Sequence, residues 1–367
     1  MRKKGILSKD GTLMLATFFN IPVKVHWTFG LLLSFITYTA IVDTTNWQQA
    51  LLFISFVFIL FICVVLHEYG HALAAKRFGV KTKDIILSPI GGVARLVNMP
   101  SKPAHELVIA FAGPFVNLVI FSVLSTVLWA TTGSVLPPND EMQFNTALDF
   151  VRWVNLLNIS LFVFNLIPAF PMDGGRVLRA LIALKIGRVK ATHLASIVGR
   201  VLAIGFIIFG VYSQNLILSL IGLFIFMMAG KEYDQTKLTE IVQTTTAREV
   251  MRTTFTKLQL HDGYPFVFQQ FESGERNFVV FDLLGNPIGT LPELFIKDAI
   301  TNKTNLNTVN DRYSDNIGTV APDQKLGVVI EYLKKMGLSI VPIVDGNAIL
   351  GVIDRQDIEL FIRDKVG

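Results

Sequence analysis

From Leu51 to Leu66 the chain reads LLFISFVFILFICVVL, without a single charge. Gln48-Gln49-Ala50 before it and Ala72-Leu73-Ala74-Ala75 after it keep the helical character, and the run reaches the length that crosses a bilayer. Comparable apolar stretches recur, and together they predict six membrane spans. These run roughly from His26 to Val42, Gln48 to Phe78, His105 to Ala130, Leu148 to Pro168, Leu194 to Tyr212 and Leu216 to Ala229. Between the second and third lies KTKDIILSPIGGVARLVNMP, two short apolar strands turning at Pro89 and Gly91-Gly92. Such a hairpin enters a membrane only where protein or water covers its backbone, and an open edge on it can pair with an extended peptide. The other reading of this stretch is an ordinary interfacial loop.

Past Ala229 the pattern changes. Residues 231–246 are polar and Thr-rich, as in a linker, and two similar halves follow. NFVVFDLLGNPIGTLPELF (277–295) matches SIVPIVDGNAILGVIDRQDIELF (339–361), with Gly289 and Gly351 lying 62 positions apart. Each half reads as strand, turn, strand, helix. The expected organisation is a polytopic α-helical membrane domain with a β-hairpin over 1–230, a linker over 231–246 and a soluble α/β domain over 247–367.

Charge orients this layout. Hydrophobic residues make up 51% of the chain and charged ones 17%, which places it among membrane proteins. The basic residues cluster before the first span (Arg2, Lys3, Lys4, Lys9, Lys24), between the second and third (Lys76, Arg77, Lys81, Lys83, Arg95, Lys102), and between the fourth and fifth (Arg176, Arg179, Lys185, Arg188, Lys190). The intervening loops carry no Lys or Arg. The positive-inside rule puts both termini in the cytoplasm of a multi-pass cell-membrane protein, and the net charge of +5 reflects topology, with no nucleic-acid partner implied. MRKKGILSKDGTLML shows no apolar core with a cleavage site, so no removable signal is expected. Cys63 is the single cysteine, which excludes an internal disulfide and a cysteine metal cluster.

The second span ends in His67-Glu68-Tyr69-Gly70-His71. Positions four apart on a helix stack on one face about 6 Å apart, so His67 and His71 can close on one ion. In this H-E-x-x-H arrangement two imidazoles bind Zn²⁺ and Glu68 takes a proton from the bound water. Ionisable groups against a membrane span are expensive, which argues against a plain polar helix face. A catalytic zinc needs a third protein ligand. The fourth span ends in NLIPAFPMDGG, where two prolines break the helix and Asp173 is the only acid between Asp149 and Glu232. An isolated carboxylate there needs a cation or a donor, which makes Asp173 the third ligand, with a helix cap as the bland reading. Asn117, in the third span, either bonds across helices or donates to a developing oxyanion. Asn165 either orients substrate or bonds a neighbour, and Gly91 and Gly92 belong to the candidate substrate hairpin.

HEYGH in the second span, AGPFVN in the third and NLIPAFPMDGG after the fourth resemble the site-2 protease family of intramembrane zinc metalloproteases, over roughly residues 20 to 230. The resemblance implies six spans, one Zn²⁺ held by His67, His71 and Asp173, and Glu68 as general base. It makes PIGGVARL a membrane-dipping hairpin near the substrate cleft. Members cleave transmembrane segments of other proteins, often releasing a transcription factor or a sigma-factor regulator, and the layout looks most like the sporulation-type and archaeal branch. The second tail half, with VAPDQKLGVVIEYLKKMG before it, resembles a CBS repeat and the first a divergent one. Such pairs typically bind adenine nucleotides (ATP or AMP), regulate an attached enzyme or transporter, and form homodimers. Asp357 matches the position whose carboxylate holds ribose hydroxyls, whereas Asp354 stands where a Thr is usual and would repel phosphate. Expected partners are thus a transmembrane protein substrate, membrane lipid and an adenine nucleotide. The alternative of another class is a CBS-gated metal transporter using the same three ligands, and a third is a membrane scaffold that retains zinc without cleaving.

Overall fold

The chain divides into two units, Met1–Tyr233 and Asp234–Gly367. The computed structural model describes residues 10–43, 47–89, 91–97, 102–137, 144, 146–302, 306–346 and 348–366. Arg2, Lys3, Lys4 and Lys9, used above for topology, and Ile90 of the hairpin lie outside the described residues.

The first unit opens on a hairpin that the apolar runs do not reveal. β1 (Thr12–Phe18) pairs antiparallel with β2 (Ile21–His26), and the two residues between them, Phe19 and Asn20, sit at φ 53° and 64°. Two successive left-handed residues make a turn whose twist matches that of the strands. α1 (Thr28–Asp43) follows; its 16 residues span only about 24 Å at 1.5 Å per residue, short of a hydrocarbon core of about 30 Å. α2 (Trp47–Arg77) is 31 residues long and ends on Lys76 and Arg77, cations that suit a helix C-terminus.

The expected hairpin is present as β3 (Thr82–Ser88) and β4 (Gly91–Leu96), antiparallel to each other. It does not stand alone. β3 pairs in parallel with β2, so the four strands form one sheet in the order β1-β2-β3-β4 with β4 at an outer edge. Asp84 on β3 is fully buried and joins the strands electrostatically, taking Lys24 from β2 at 2.7 Å and Arg95 from β4 at 2.6 Å. The Arg95 guanidinium above all holds the Asp84 carboxyl down to about 2.

α3 (Pro103–Thr132) and α4 (Ala147–Asn165) complete the core around α2. α4 begins with a reciprocal cap, Thr146 Oγ1 accepting from Asp149 N and Asp149 Oδ2 from Thr146 N. α5 (Asp173–Ile186), α6 (Arg188–Tyr212) and α7 (Leu216–Thr244) follow. Five helices, α2, α3, α4, α6 and α7, are long and apolar enough to cross a membrane, and α1 is the shorter apolar one. The six expected spans thus appear as five long helices and a short one, α1, which keeps nearly the length expected from His26 to Val42. Residues 231–244, expected as part of a linker, continue α7 as helix, having no Pro or Gly among them to interrupt it.

α5 corrects the reading of the fourth-to-fifth connection as a basic loop. It is an amphipathic helix, and Arg179, counted there as an exposed topological charge, is 1% exposed. Its Nε donates to Glu106 Oε1 of α3 at 2.7 Å and its Nη1 to Glu232 Oε1 of α7 at 2.6 Å. The guanidinium also lies 5.1 Å from the centroid of the Phe170 ring. Removing one partner of a buried pair leaves an uncompensated charge, so Arg179→Met is expected to lower stability by about 3–5 kcal/mol. Adding Glu106→Gln should recover part of that loss, and thermal unfolding of the detergent-solubilised protein measures both.

The second unit contains the two similar halves. α8 (Ala247–Val250) precedes β5 (Lys257–Gln259), α9 (Tyr264–Glu272), β6 (Phe278–Phe281), β7 (Pro287–Leu291) and α10 (Glu293–Thr301) of the first half. The second half has α11 (Leu326–Met336), β8 (Ile340–Asp345), β9 (Ala348–Asp354) and α12 (Arg355–Val366). β6–β7 and β8–β9 are both antiparallel, and β5 lies parallel to β6 as Val320 lies parallel to Ile343. Val279, Phe281, Ile340 and Val352 form a buried cluster drawn from the strands of both halves.

Candidate metal centre

His67 and His71 lie one turn apart on α2, and their Nε2 atoms are 3.1 Å from each other. Asp173 is the first residue of α5, delivered by the segment from Leu166 to Met172 in which Pro168 and Pro171 prevent α4 from continuing. Its Oδ2 lies 3.1 Å from His67 Nε2 and 3.0 Å from His71 Nε2. All three side chains belong to residues more than nine-tenths buried. The structure therefore brings together the three residues that the sequence nominates as ligands.

The remaining ring nitrogens define what those three atoms are. His71 Nδ1 is 2.7 Å from Ile109 O, which can only accept, so Nδ1 carries the proton. His67 Nδ1 lies 2.6 Å from Asn117 Oδ1, again an acceptor. Both Nε2 atoms of the neutral rings then present lone pairs, as does the carboxylate. Three buried acceptors facing one another without a donor need a cation between them. Donors about 2.0 Å from a tetrahedral zinc lie about 3.3 Å apart, close to the 3.0–3.1 Å found here. Two imidazoles and a carboxylate with a fourth direction left for water is a donor set that suits Zn²⁺. Among the described residues, His67, His71 and Asp173 form the one such group of potential metal ligands.

Glu68 is half-buried beside this group, and its Oε2 accepts from Ala94 N of β4 at 2.8 Å. Gly92 makes that approach possible, since a Cβ there would stand 2.9 Å from Glu68 Cγ and from Val64 Cγ1. Gly91 serves the turn alone, with φ at 130° and open space around its Cα. Asn117 is fully buried, with Oδ1 on His67 and Nδ2 donating to Asn158 Oδ1 at 3.0 Å. Of the two roles open to it in the sequence, it occupies the cross-helix one, and its burial leaves no surface for an oxyanion. Asn165 donates to Leu161 O of its own helix at 2.8 Å and is not joined to the three ligands.

Sequence reasoning missed Asn158 and the Ala94 N–H. Asn158 had a signal: Asn155, Asn158 and Asn165 recur at helical spacing on an otherwise apolar span, where unpaired amides are costly.

In the second unit, Asp357 lies in the first turn of α12. Its Oδ2 accepts from Asp354 N and its N–H donates to Asp354 Oδ1, both at 2.9 Å, a reciprocal cap at the start of α12. Arg252 closes over the pair, its Nε 3.5 Å from Asp357 and its Nη2 3.6 Å from Asp354. A cavity of about 510 Å³ opens on a different face of the same helix turn, lined by Arg276, Asn277, Glu293, Ser339, Arg355 and Glu359. Asp357 Oδ2 thus serves both the cap and the arginine.

Burial first, and the Asp354 charge second, push the Asp357 carboxyl up to about 6. A raised carboxyl contributes stability that is complete below its unfolded value near 4 and is lost as pH rises through about 6. Asp357→Asn keeps an acceptor for the Asp354 N–H and has no such loss. It is therefore expected to match wild type near pH 4 and to exceed it by roughly 1–3 kcal/mol at pH 7–8, read by pulse proteolysis of the C-terminal unit in urea.

Comparison with known proteins adds the following. The family model described as Peptidase family M50 matches residues 55–137 and 131–209, ranges that contain His67, Glu68, His71 and Asp173. The CBS domain model matches residues 309–364. A zinc metalloprotease of Methanocaldococcus jannaschii is 38% identical over 232 residues, 63% of this chain and 63% of the relative, so the chain spans somewhat less than two thirds of that protein's length. Stage IV sporulation protein FB of Bacillus subtilis is 26% identical over 136 residues, covering 37% of this chain and 43% of its own. Among solved structures, the site-2 protease from Methanocaldococcus jannaschii is 40% identical over 60% of this chain and 95% of its own, with a TM-score of 0.44.

Proposed function

Because this chain belongs to peptidase family M50, the family of zinc metalloproteases that includes site-2 protease, and carries a CBS domain, we propose that it is an intramembrane endopeptidase. Its substrates are peptide bonds in transmembrane segments of other proteins. The observation that carries this reading is the convergence of three buried acceptors at the end of a membrane-length helix, with Glu68 one residue from the first of them.

His67, His71 and Asp173 hold the ion, and Glu68 is the base. Zinc, when bound there, polarises a peptide carbonyl and makes a coordinated water acidic near neutral pH. Glu68 accepts the proton of the attacking water on its carboxylate and passes it to the leaving amine nitrogen. The apolar body of α2 keeps bulk water away from one side of the site. As an outer strand, β4 offers backbone groups to an extended segment. A helical substrate hides its carbonyls in its own hydrogen bonds, so residues that break a helix favour cleavage. The clustering of Lys76, Arg77, Lys81, Lys83 and Lys102 between the second and third spans supports a cytoplasmic position for the metal end of α2 and for both termini.

The test uses the purified full-length chain and a reporter span containing a helix-breaking residue. Removing metal with a chelator should abolish cleavage, and adding back one zinc per chain should restore it. Cleavage that persists in zinc-free protein would overturn the proposal.

A further inference from the structure

The geometry points to Asn158 as a positioning residue that fixes which nitrogen of His67 faces the metal. The inference rests on the reading of His67, His71 and Asp173 as zinc ligands, and concerns a residue that touches none of them.

The two ligand histidines are oriented by different means. His71 is held directly by a backbone carbonyl, Ile109 O, which cannot turn into a donor. His67 is held by a carboxamide, and a carboxamide has two ends. With Asn117 Oδ1 toward the ring, His67 carries its proton on Nδ1 and offers Nε2 to the ion. Were Asn117 to flip, its NH₂ would face Nδ1, the proton would move to Nε2, and His67 would cease to be a ligand.

Asn117 cannot decide this alone, so the question passes to its other partner. Asn117 Nδ2 donates to Asn158 Oδ1 at 3.0 Å. Asn158 is itself a carboxamide, but its far end meets a group that only accepts: Nδ2 donates to Val154 O at 2.9 Å and is 3.5 Å from Cys63 Sγ. A flipped Asn158 would set its oxygen against the Val154 carbonyl. The polarity therefore runs one way, from the α4 backbone through Asn158 and Asn117 to His67 Nδ1. Both Asn117 and Asn158 are fully buried, so a flipped amide would set like groups against each other away from the surface. The partners of metal-bound histidines commonly set tautomer in this manner, and here the setting is two residues deep.

The experiment reads the tautomer directly, in zinc-free full-length protein labelled with ¹⁵N-histidine in detergent micelles. Long-range ¹H–¹⁵N correlations distinguish Nδ1–H from Nε2–H, and loss of a signal in His67→Asn assigns it. Wild type should show His67 as Nδ1–H. Asn158→Leu, which leaves Asn117 free to turn, should shift His67 toward Nε2–H and weaken zinc binding, measured by competition with a chelating dye, by about 10–100-fold. Asn158→Asp, kept protonated by its burial, donates its hydroxyl to Val154 O and presents its other oxygen to Asn117, and should keep both the tautomer and wild-type zinc affinity. A purely structural role would make Asn158→Asp fail like Asn158→Leu.

An Asn158→Leu protein that keeps the Nδ1–H form and wild-type affinity would overturn the assignment, as would a folded Asn158→Asp protein that loses zinc. If Asn158→Leu does not fold, the Asp variant decides alone. The tautomer is read without zinc and without substrate, so a protein that never cleaves would end the proposed function and leave this inference standing.

Discussion

Glu68→Gln is expected to lower cleavage of a transmembrane reporter by about 10²–10⁴-fold while zinc content stays at one ion per chain. The substitution removes little else. Gln keeps an oxygen that can accept from Ala94 N, the contact that Glu68 Oε2 makes at 2.8 Å, so β4 retains its anchor on α2. What the amide cannot do is take the proton of an attacking water. The ligands His67, His71 and Asp173 are unaltered, and metal should therefore remain bound. A transporter using the same three ligands as a transit site has no use for a base beside the first one, so its flux would survive the change. A scaffold that retains zinc would show no cleavage in wild type either. Cleavage at the wild-type rate by the Gln protein would remove Glu68 from the chemistry; undiminished metal flux with no cleavage by either protein would favour the transporter.

The residues of this centre were legible where the signal was local. His67 and His71 are four apart on a helix whose apolar character is plain, and Asp173 stands alone among apolar and broken backbone. Neither inference needed knowledge of the fold. The hairpin over 82–96 was legible too, from two short apolar strands around Pro89 and two glycines. Its incorporation into a four-stranded sheet was not, because β2 pairs with β3 across more than 50 residues of intervening chain, and β1 and β2 are too short to stand out. Long-range pairing leaves no trace in local pattern.

Charge misled in a specific way. Arg179 was counted with its basic neighbours as marking a cytoplasmic loop, a sound rule for exposed residues. Its counterions, Glu106 and Glu232, lie 73 and 53 positions away, and only the folded helix bundle brings them to it. Asp357 likewise has partners that no local pattern shows, Arg252 and the Asp354 backbone. In both cases the pattern gave the residue type correctly and said nothing of the partner. The polarity of the Asn117–Asn158 pair is a further step removed, since it depends on which end of each amide meets a carbonyl.

Gly113→Ala is expected to weaken zinc binding by about 10–100-fold in a protein that still folds and inserts. Gly113 lies one turn after Ile109 on α3, and the His71 ring rests on it. A Cβ added at Gly113 would overlap His71 Nε2 and stand 2.5 Å from Cε1 and 2.7 Å from Cδ2. The ring cannot simply shift, because Nδ1 is held by Ile109 O at 2.7 Å on the same helix. Nor can α3 readily withdraw from α2, since the two helices are in contact at Gly70, where even a methyl would come within 2.5 Å of Ala112 O. Something must give, and the nitrogen that faces Asp173 is the group in the way. The effect on stability runs differently. Alanine is a better helix former than glycine by about 1 kcal/mol, and overpacking costs about 1–3 kcal/mol, so the net change in folding is small. The signature is thus a thermal unfolding midpoint near that of zinc-free wild type together with a weakened metal site. If Gly113→Ala bound zinc as tightly as wild type, the ring of His71 would have to lie elsewhere when the ion is present.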